Sequence, residues 1–219
     1  MEAFVTLHGI AAPLFHANID TDLIIPSREI TALDASGLGE RLLSPWRYEI
    51  TADGQRLERP DFVLNREPFR EATILLAGEN FGSGSSREAA VWAVRQFGFR
   101  CVIAPSFGAI FQNNCYRNSV LPVVLPRAEV EELAKEAEDN GKGLWLDVDL
   151  QSCTVRHADG RCWPFVVPEW ERSMLLEGLD PIGLTCKRRD QITAYQDAVR
   201  EIRPWVLAIA KPNPIDSAS

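Results

Sequence analysis

Short apolar runs alternate with stretches at helical spacing through the middle of the chain. Residues 73–77 (Thr-Ile-Leu-Leu-Ala) and 101–104 (Cys-Val-Ile-Ala) are continuous apolar runs, the pattern of strands buried on both faces. A glycine- and serine-rich loop at 78–86 separates the first run from a predicted helix over 86–97, where Ala90, Val94 and Phe97 recur at helical spacing before Gly98. This is a βαβ unit, and its crossover is expected to be right-handed. Residues 121–125 read as a third strand interrupted by Pro122. Helices are predicted over 107–114, 129–140, 169–177 and 190–202, the second being amphipathic with Leu133 and Ala137 on its inner side.

The flanks are more antiparallel in character. A short strand is expected at 4–7, then a turn and an extended apolar stretch at 23–26, which Pro26 closes. Asp53-Gly54 predicts a hairpin between 48–50 and the residues around Leu57, and residues 61–64 a further extended piece. Asp159-Gly160 marks a second hairpin among strands expected at 145–150, 153–157 and 163–167. The fold class is α/β with a mostly parallel central sheet, flanking helices and antiparallel additions. One domain is expected over 1–203, with a flexible tail at 204–219.

Charge and composition narrow the function classes. Among 219 residues, 23 are Lys or Arg and 31 are Asp or Glu, a formal charge of −8. That balance argues against a nucleic-acid binder, which needs a basic face to displace counterions. A hydrophobic content of 46% excludes disorder as the main state. No apolar run approaches the roughly 20 residues of a membrane span, and the acidic second residue is unlike a secretory signal, so the cytoplasm is expected. The five cysteines are odd in number and lack C-x-x-C spacing. They read as isolated thiols, not as a disulfide, zinc or self-contained iron–sulfur framework.

Chemistry concentrates in residues 80–88, Asn-Phe-Gly-Ser-Gly-Ser-Ser-Arg-Glu, between a strand end and a helix start. Ligands bind at that position in α/β sheets, and a helix amino terminus favours anions. Gly82 and Gly84 allow tight turns and close approach to a ligand. Arg87 offers a planar charged fork for a carboxylate or phosphate, and Ser85 and Ser86 add hydroxyls. Ser85-x-x-Glu88 also has the spacing of a capping box, the role that spacing alone favours for Ser85. The loop has Arg87 where a third glycine would stand, and no Gly-Lys followed by Ser or Thr occurs, so a dinucleotide or ATP loop is disfavoured.

These residues resemble the swivelling domain of the aconitase superfamily, and most closely the family of 3-isopropylmalate dehydratase small subunits. The resemblance rests on Gly82-x-Gly84-Ser85-Ser86-Arg87-Glu88 and on Asn18-x-Asp20-Thr21-Asp22-x-Ile24-Ile25-Pro26. It extends through residues 60–65, 103–107 and 178–185, in the family's order. It implies an aconitase-type swivelling β/β/α domain and a hydro-lyase that isomerises a dicarboxylic acid by dehydration and rehydration. The [4Fe–4S] cluster would sit on a separate large subunit, in a heterodimer or higher heteromer, with none bound by this chain. Ser85 would take a proton from the carbon beside a carboxylate, and Ser86 and Arg87 would hold a carboxylate. Asp22 would orient a histidine of the large subunit, and Asp20 would only organise a turn. Arg28, just after Pro26, is a candidate for the distal part of the substrate, with a solvated surface arginine equally open. Two positions depart from the family pattern: Ser83 stands where Cys is common and Ala89 where His is common. The alternatives are therefore a related hydro-lyase acting on another malate- or maleate-type acid, and a non-catalytic anion-binding protein of this fold.

Overall fold

The computed structural model describes residues 1–31, 36–141 and 143–208. In chain order the elements are β1 (Thr6–Leu14), α1 (Thr21–Ile24), α2 (Ser27–Thr31), α3 (Ser44–Arg47), β2 (Tyr48–Ile50), β3 (Arg56–Glu58) and β4 (Ile74–Ala77). Then come α4 (Glu88–Phe97), β5 (Cys101–Ala104), α5 (Ala109–Arg117), β6 (Leu121–Val124), α6 (Arg127–Asp139), β7 (Leu144–Asp149), β8 (Thr154–His157), β9 (Cys162–Pro164) and α7 (Glu169–Glu177). All of these lie in a first unit, Met1–Leu179; a second begins at Asp180 and contains α8 (Pro181–Cys186), α9 (Arg189–Ile202) and α10 (Pro204–Ala208).

A seven-stranded sheet of order β6-β5-β4-β1-β7-β8-β9 organises the first unit. β6, β5, β4 and β1 run parallel, while β7, β8 and β9 continue the sheet antiparallel from β1. The two halves differ in composition for a physical reason. Every residue of β4 and β5 is buried, because helices cover both faces. In β7, Leu144, Leu146 and Val148 are buried, while Trp145 and Asp147 alternate outward to solvent. One sheet face takes α6 through Val130, Leu133, Ala134 and Ala137, at the i, i+3, i+4, i+7 spacing of one helical stripe. Ala12, Leu14, Leu75, Ala77, Val102 and Ala104 belong to the main core with Ala90, Val91 and Val94 of α4. Each large aliphatic side chain buried there contributes about 1.5–3 kcal/mol.

β1 runs to nine residues, well beyond the short strand expected at 4–7. It is central, so Gly9 and Pro13 had to be accommodated. A Cβ on Gly9 would stand 1.9 Å from Thr73 Oγ1, so only glycine fits. Pro13 falls past Ala11, the last residue paired to β7, where its missing N–H costs no ladder bond. The apolar stretch at 23–26 is not extended: Asp20 Oδ1 accepts from Leu23 N at 2.7 Å and caps a turn of helix that buries Ile24. Residues 63–65 form a 3-10 turn in place of the expected extended piece. The β2–β3 hairpin turns at Asp53-Gly54 as expected. Beyond Pro204, the short helix α10 is followed by residues 209–219, which lie outside the described residues together with most of the expected tail.

Among the described residues, no helix is long and apolar enough to cross a membrane.

Candidate active site

Three loops meet at the carboxyl ends of the parallel strands: 15–20 after β1, 78–87 after β4 and 105–108 after β5. This is where the crevice of an open α/β sheet forms. Backbone bonds knit the loops together. Gly82 N donates to Ile19 O at 2.7 Å, Thr21 N to Ser83 O at 2.9 Å, Phe81 N to Ser106 O at 3.1 Å and Gly108 N to Phe81 O at 2.9 Å. Asn18 and Asn80 both take left-handed backbone, with φ of 59° and 57°, and Asn80 Nδ2 donates to Asn18 Oδ1 at 2.8 Å. Asn tolerates that conformation better than most residues.

Gly82 is required twice over. Its φ is +72°, and a Cβ would lie 2.2 Å from Phe111 Cγ. Phe111 is itself buried edge-on against Phe81, at 5.3 Å between ring centres, so it has nowhere to retreat. At Gly84 the constraint is conformational only, since φ is +93° but the nearest atoms to a Cβ are 3.5 Å away. These two turns carry the chain outward, so that Ser85 and Ser86 are exposed and Arg87 is half-buried.

Arg87, not Ser85, occupies the position before α4, and its side chain makes no capping bond to that helix. The capping-box reading is therefore set aside. Glu88 does not reach back; its Oε1 accepts from Asn118 Nδ2 at 2.9 Å. Ser85 instead faces Thr21. Thr21 Oγ1 donates to Ser85 O at 3.0 Å and lies 3.3 Å from Ser85 Oγ. Arg87 Nη1 donates to Asp22 Oδ1 in a direct ion pair. Among the described residues, its Nε and Nη2 edge has no partner. A carboxylate needs such an edge for a two-point bond.

Ser85, Ser86, Arg87, Asp22, Gly82 and Gly84 are thus brought to one loop cluster. Arg28 belongs to a different group. Its side chain is 72% exposed on α2, with Nε 3.7 Å from buried Glu29, whose carboxylate Arg56 Nη2 grips at 2.7 Å to both oxygens. Thr21 carries no predicted role in the Asn18–Pro26 motif. Its contact with Ser85 spans 64 positions, and no local pattern reports it. The departures Ser83 and Ala89 sit in the loop and in the buried first turn of α4, and Ser83 O still accepts from Thr21 N.

The cysteines do not suit a metal cluster. Cys101 and Cys115 are buried, and burial pushes both thiols well above their ordinary range, away from the thiolate a metal needs. Among the described residues, no group of three or more His, Cys, Asp or Glu side chains is placed to hold a metal ion.

Residues 1–128 match the aconitase C-terminal domain family, which makes this an aconitase-type domain. The chain resembles the crystal structure of 3-isopropylmalate dehydratase from Methanocaldococcus jannaschii with a TM-score of 0.59, over 87% of this chain and 99% of that one, at 24% identity. At that identity the likeness bears on the fold. Curated relatives carry the assignment further. The 3-isopropylmalate dehydratase small subunits of Cupriavidus necator, Rhodospirillum centenum and Roseobacter denitrificans are 50%, 48% and 47% identical, over 94% of this chain and 98–100% of theirs. The chain belongs to the 3-isopropylmalate dehydratase small-subunit family.

Proposed function

We propose that this chain is the small subunit of a 3-isopropylmalate dehydratase, a hydro-lyase that interconverts 2- and 3-isopropylmalate in leucine biosynthesis. The supporting observation is one arrangement. An exposed serine hydroxyl stands two residues from an arginine whose unpartnered edge suits a carboxylate, at the carboxyl ends of parallel strands.

In this reading Arg87 receives a substrate carboxylate on its Nε and Nη2 edge while Nη1 stays on Asp22, and Ser86 adds a hydroxyl donor. Asp22 keeps the guanidinium oriented and presents its second oxygen to the large subunit. Ser85 accepts the proton from the carbon beside the carboxylate. An ordinary serine is a weak base, so its oxygen must be stabilised as an anion. The start of α4 and the Arg87 charge supply positive potential beside it. Gly82 and Gly84 shape the turn, and Arg28 is assigned to the distal part of the acid.

Among the described residues, no group of side chains is placed to hold an iron–sulfur cluster. The reading assigns a [4Fe–4S] cluster to a separate large subunit, with which this chain forms a heterodimer or higher heteromer in the cytoplasm. The chain is taken as one swivelling domain over 1–203.

The test is co-expression with the cluster-bearing large subunit, then assay of the purified pair on a panel of hydroxy-dicarboxylic acids. Turnover of 3-isopropylmalate by the pair, with negligible turnover by either chain alone, is expected. Preference for citramalate or malate would move the substrate assignment. Full activity of the large subunit alone would contradict the reading.

A further inference from the structure

Among the described residues, Thr21 is the one buried hydroxyl that touches the exposed serine loop. It is 2% exposed, its N–H is spent on Ser83 O at 2.9 Å, and its Oγ1 stands between the carbonyl and the hydroxyl of Ser85 at 3.0 and 3.3 Å. A hydroxyl has one hydrogen and two acceptor lone pairs. While Thr21 donates to Ser85 O, it can only accept from Ser85 Oγ. The Ser85 proton is then held toward Thr21, and the remaining lone pairs of Ser85 Oγ are free to face a ligand.

From this geometry we infer that Thr21 is a positioning residue for Ser85, fixing its rotamer in the protonated state and donating to its oxygen in the deprotonated one. The inference rests on the assignment of Ser85 as the base. When Ser85 gives its proton to solvent, its own hydrogen bond to Thr21 is lost, and the Thr21 hydrogen leaves Ser85 O and turns to the alkoxide oxygen. When Ser85 then takes the proton from the substrate carbon, the C–H electron pair stays with the substrate. The restored Ser85 hydroxyl again donates to Thr21, whose hydrogen returns to the carbonyl. Burial matters here, because an excluded, pre-aligned donor is worth more to a developing anion than a mobile water.

Thr21→Val, Thr21→Ser and Ser85→Ala, each assembled with the large subunit, test this. Thr21→Val is expected to lower kcat about tenfold to a hundredfold, the span of one hydrogen bond to a charged group. KM should stay within about twofold, and the low-pH limb of the kcat profile should move to higher pH, since Thr21 touches the base and not the acid. Thr21→Ser is expected to restore both kcat and the limb. Thr21→Val with parental kcat and an unmoved limb, alongside an inactive Ser85→Ala, would overturn the inference and leave the function standing. Parental turnover in Ser85→Ala would overturn the assignment of Ser85 as the base, on which the inference rests. If Thr21→Val does not assemble, Thr21→Ala, which leaves room for a water, is read in the same way.

Discussion

Arg87 and Asp22 are joined by an ion pair across two loops that are 65 positions apart in sequence. The pair links the turn after β4 to the capped turn after β1, and it orients the guanidinium without consuming its second edge. Asp22 is 60% exposed and Arg87 22%, so solvent screens the pair. Its contribution to stability is about 1 kcal/mol or less. Asp22→Asn should therefore leave the unfolding midpoint nearly unchanged. Arg87→Lys keeps the charge but loses the planar fork. It should raise KM for the dicarboxylate about tenfold to a hundredfold, the span of a charge-assisted bond worth about 1.5–3 kcal/mol. Steady-state kinetics of the assembled enzyme check this, and an unchanged KM would remove Arg87 from the binding role.

The two loop glycines should respond differently to alanine. At Gly82 the new methyl collides with Phe111 and the backbone is left-handed. About 1–3 kcal/mol of overpacking and about 1–2 kcal/mol of conformational strain add together. At Gly84 there is room, and only the strain remains. Urea unfolding should show Gly82→Ala as the more destabilised by at least about 1 kcal/mol. Equal losses would mean that Phe111 yields easily.

Much of this architecture was readable from the chain because its physics is local. Residues 74–77 and 101–104 are buried on both faces and so are apolar throughout, and Asp53-Gly54 and Asp159-Gly160 turn where their backbones permit. β1 extends past the expected 4–7 through Gly9 and Pro13, residue types that weaken strands. Each is explained only by a distant neighbour: Thr73 beside Gly9, and the end of β7 pairing beside Pro13. The same holds at the site. Ser85-x-x-Glu88 has capping spacing, yet the turns at Gly82 and Gly84 bring Ser85 to Thr21 and delay the helix to Glu88. Chemistry-bearing residue types were visible in the motif, but the Asp22–Arg87 and Thr21–Ser85 pairings were not.

Cysteine reactivity should divide by burial. Cys162 and Cys186 are exposed and should alkylate readily in the folded protein. Cys101 and Cys115 are buried with thiols pushed upward by desolvation, and should react only after unfolding. Mass spectrometry after brief iodoacetamide treatment reads the pattern directly. Modification of Cys101 under native conditions would contradict the closed core around β5.

Acid stability offers an independent check on the antiparallel edge. The backbone N–H of Arg161, the His157 side chain and the Arg161 guanidinium hold the Asp159 carboxyl down at about 2. A carboxylate whose pKa is lower folded than unfolded stabilises the fold above its unfolded value, about 3.9. That stabilisation is lost as pH falls toward 2. Asp159→Asn should lower the urea midpoint at neutral pH, and the gap to the parent should close between about pH 4 and pH 2. A gap constant across that window would show that the carboxylate is not held in this way.

The claim on which the functional account turns is that the Ser85 oxygen removes a proton from the bound acid. The most direct measurement is the turnover of 3-isopropylmalate by the assembled enzyme carrying Ser85→Ala, with assembly and melting temperature verified against the parent. Loss of a general base predicts a fall in kcat of about a thousandfold with KM little changed. Parental turnover by a correctly assembled Ser85→Ala enzyme would contradict it.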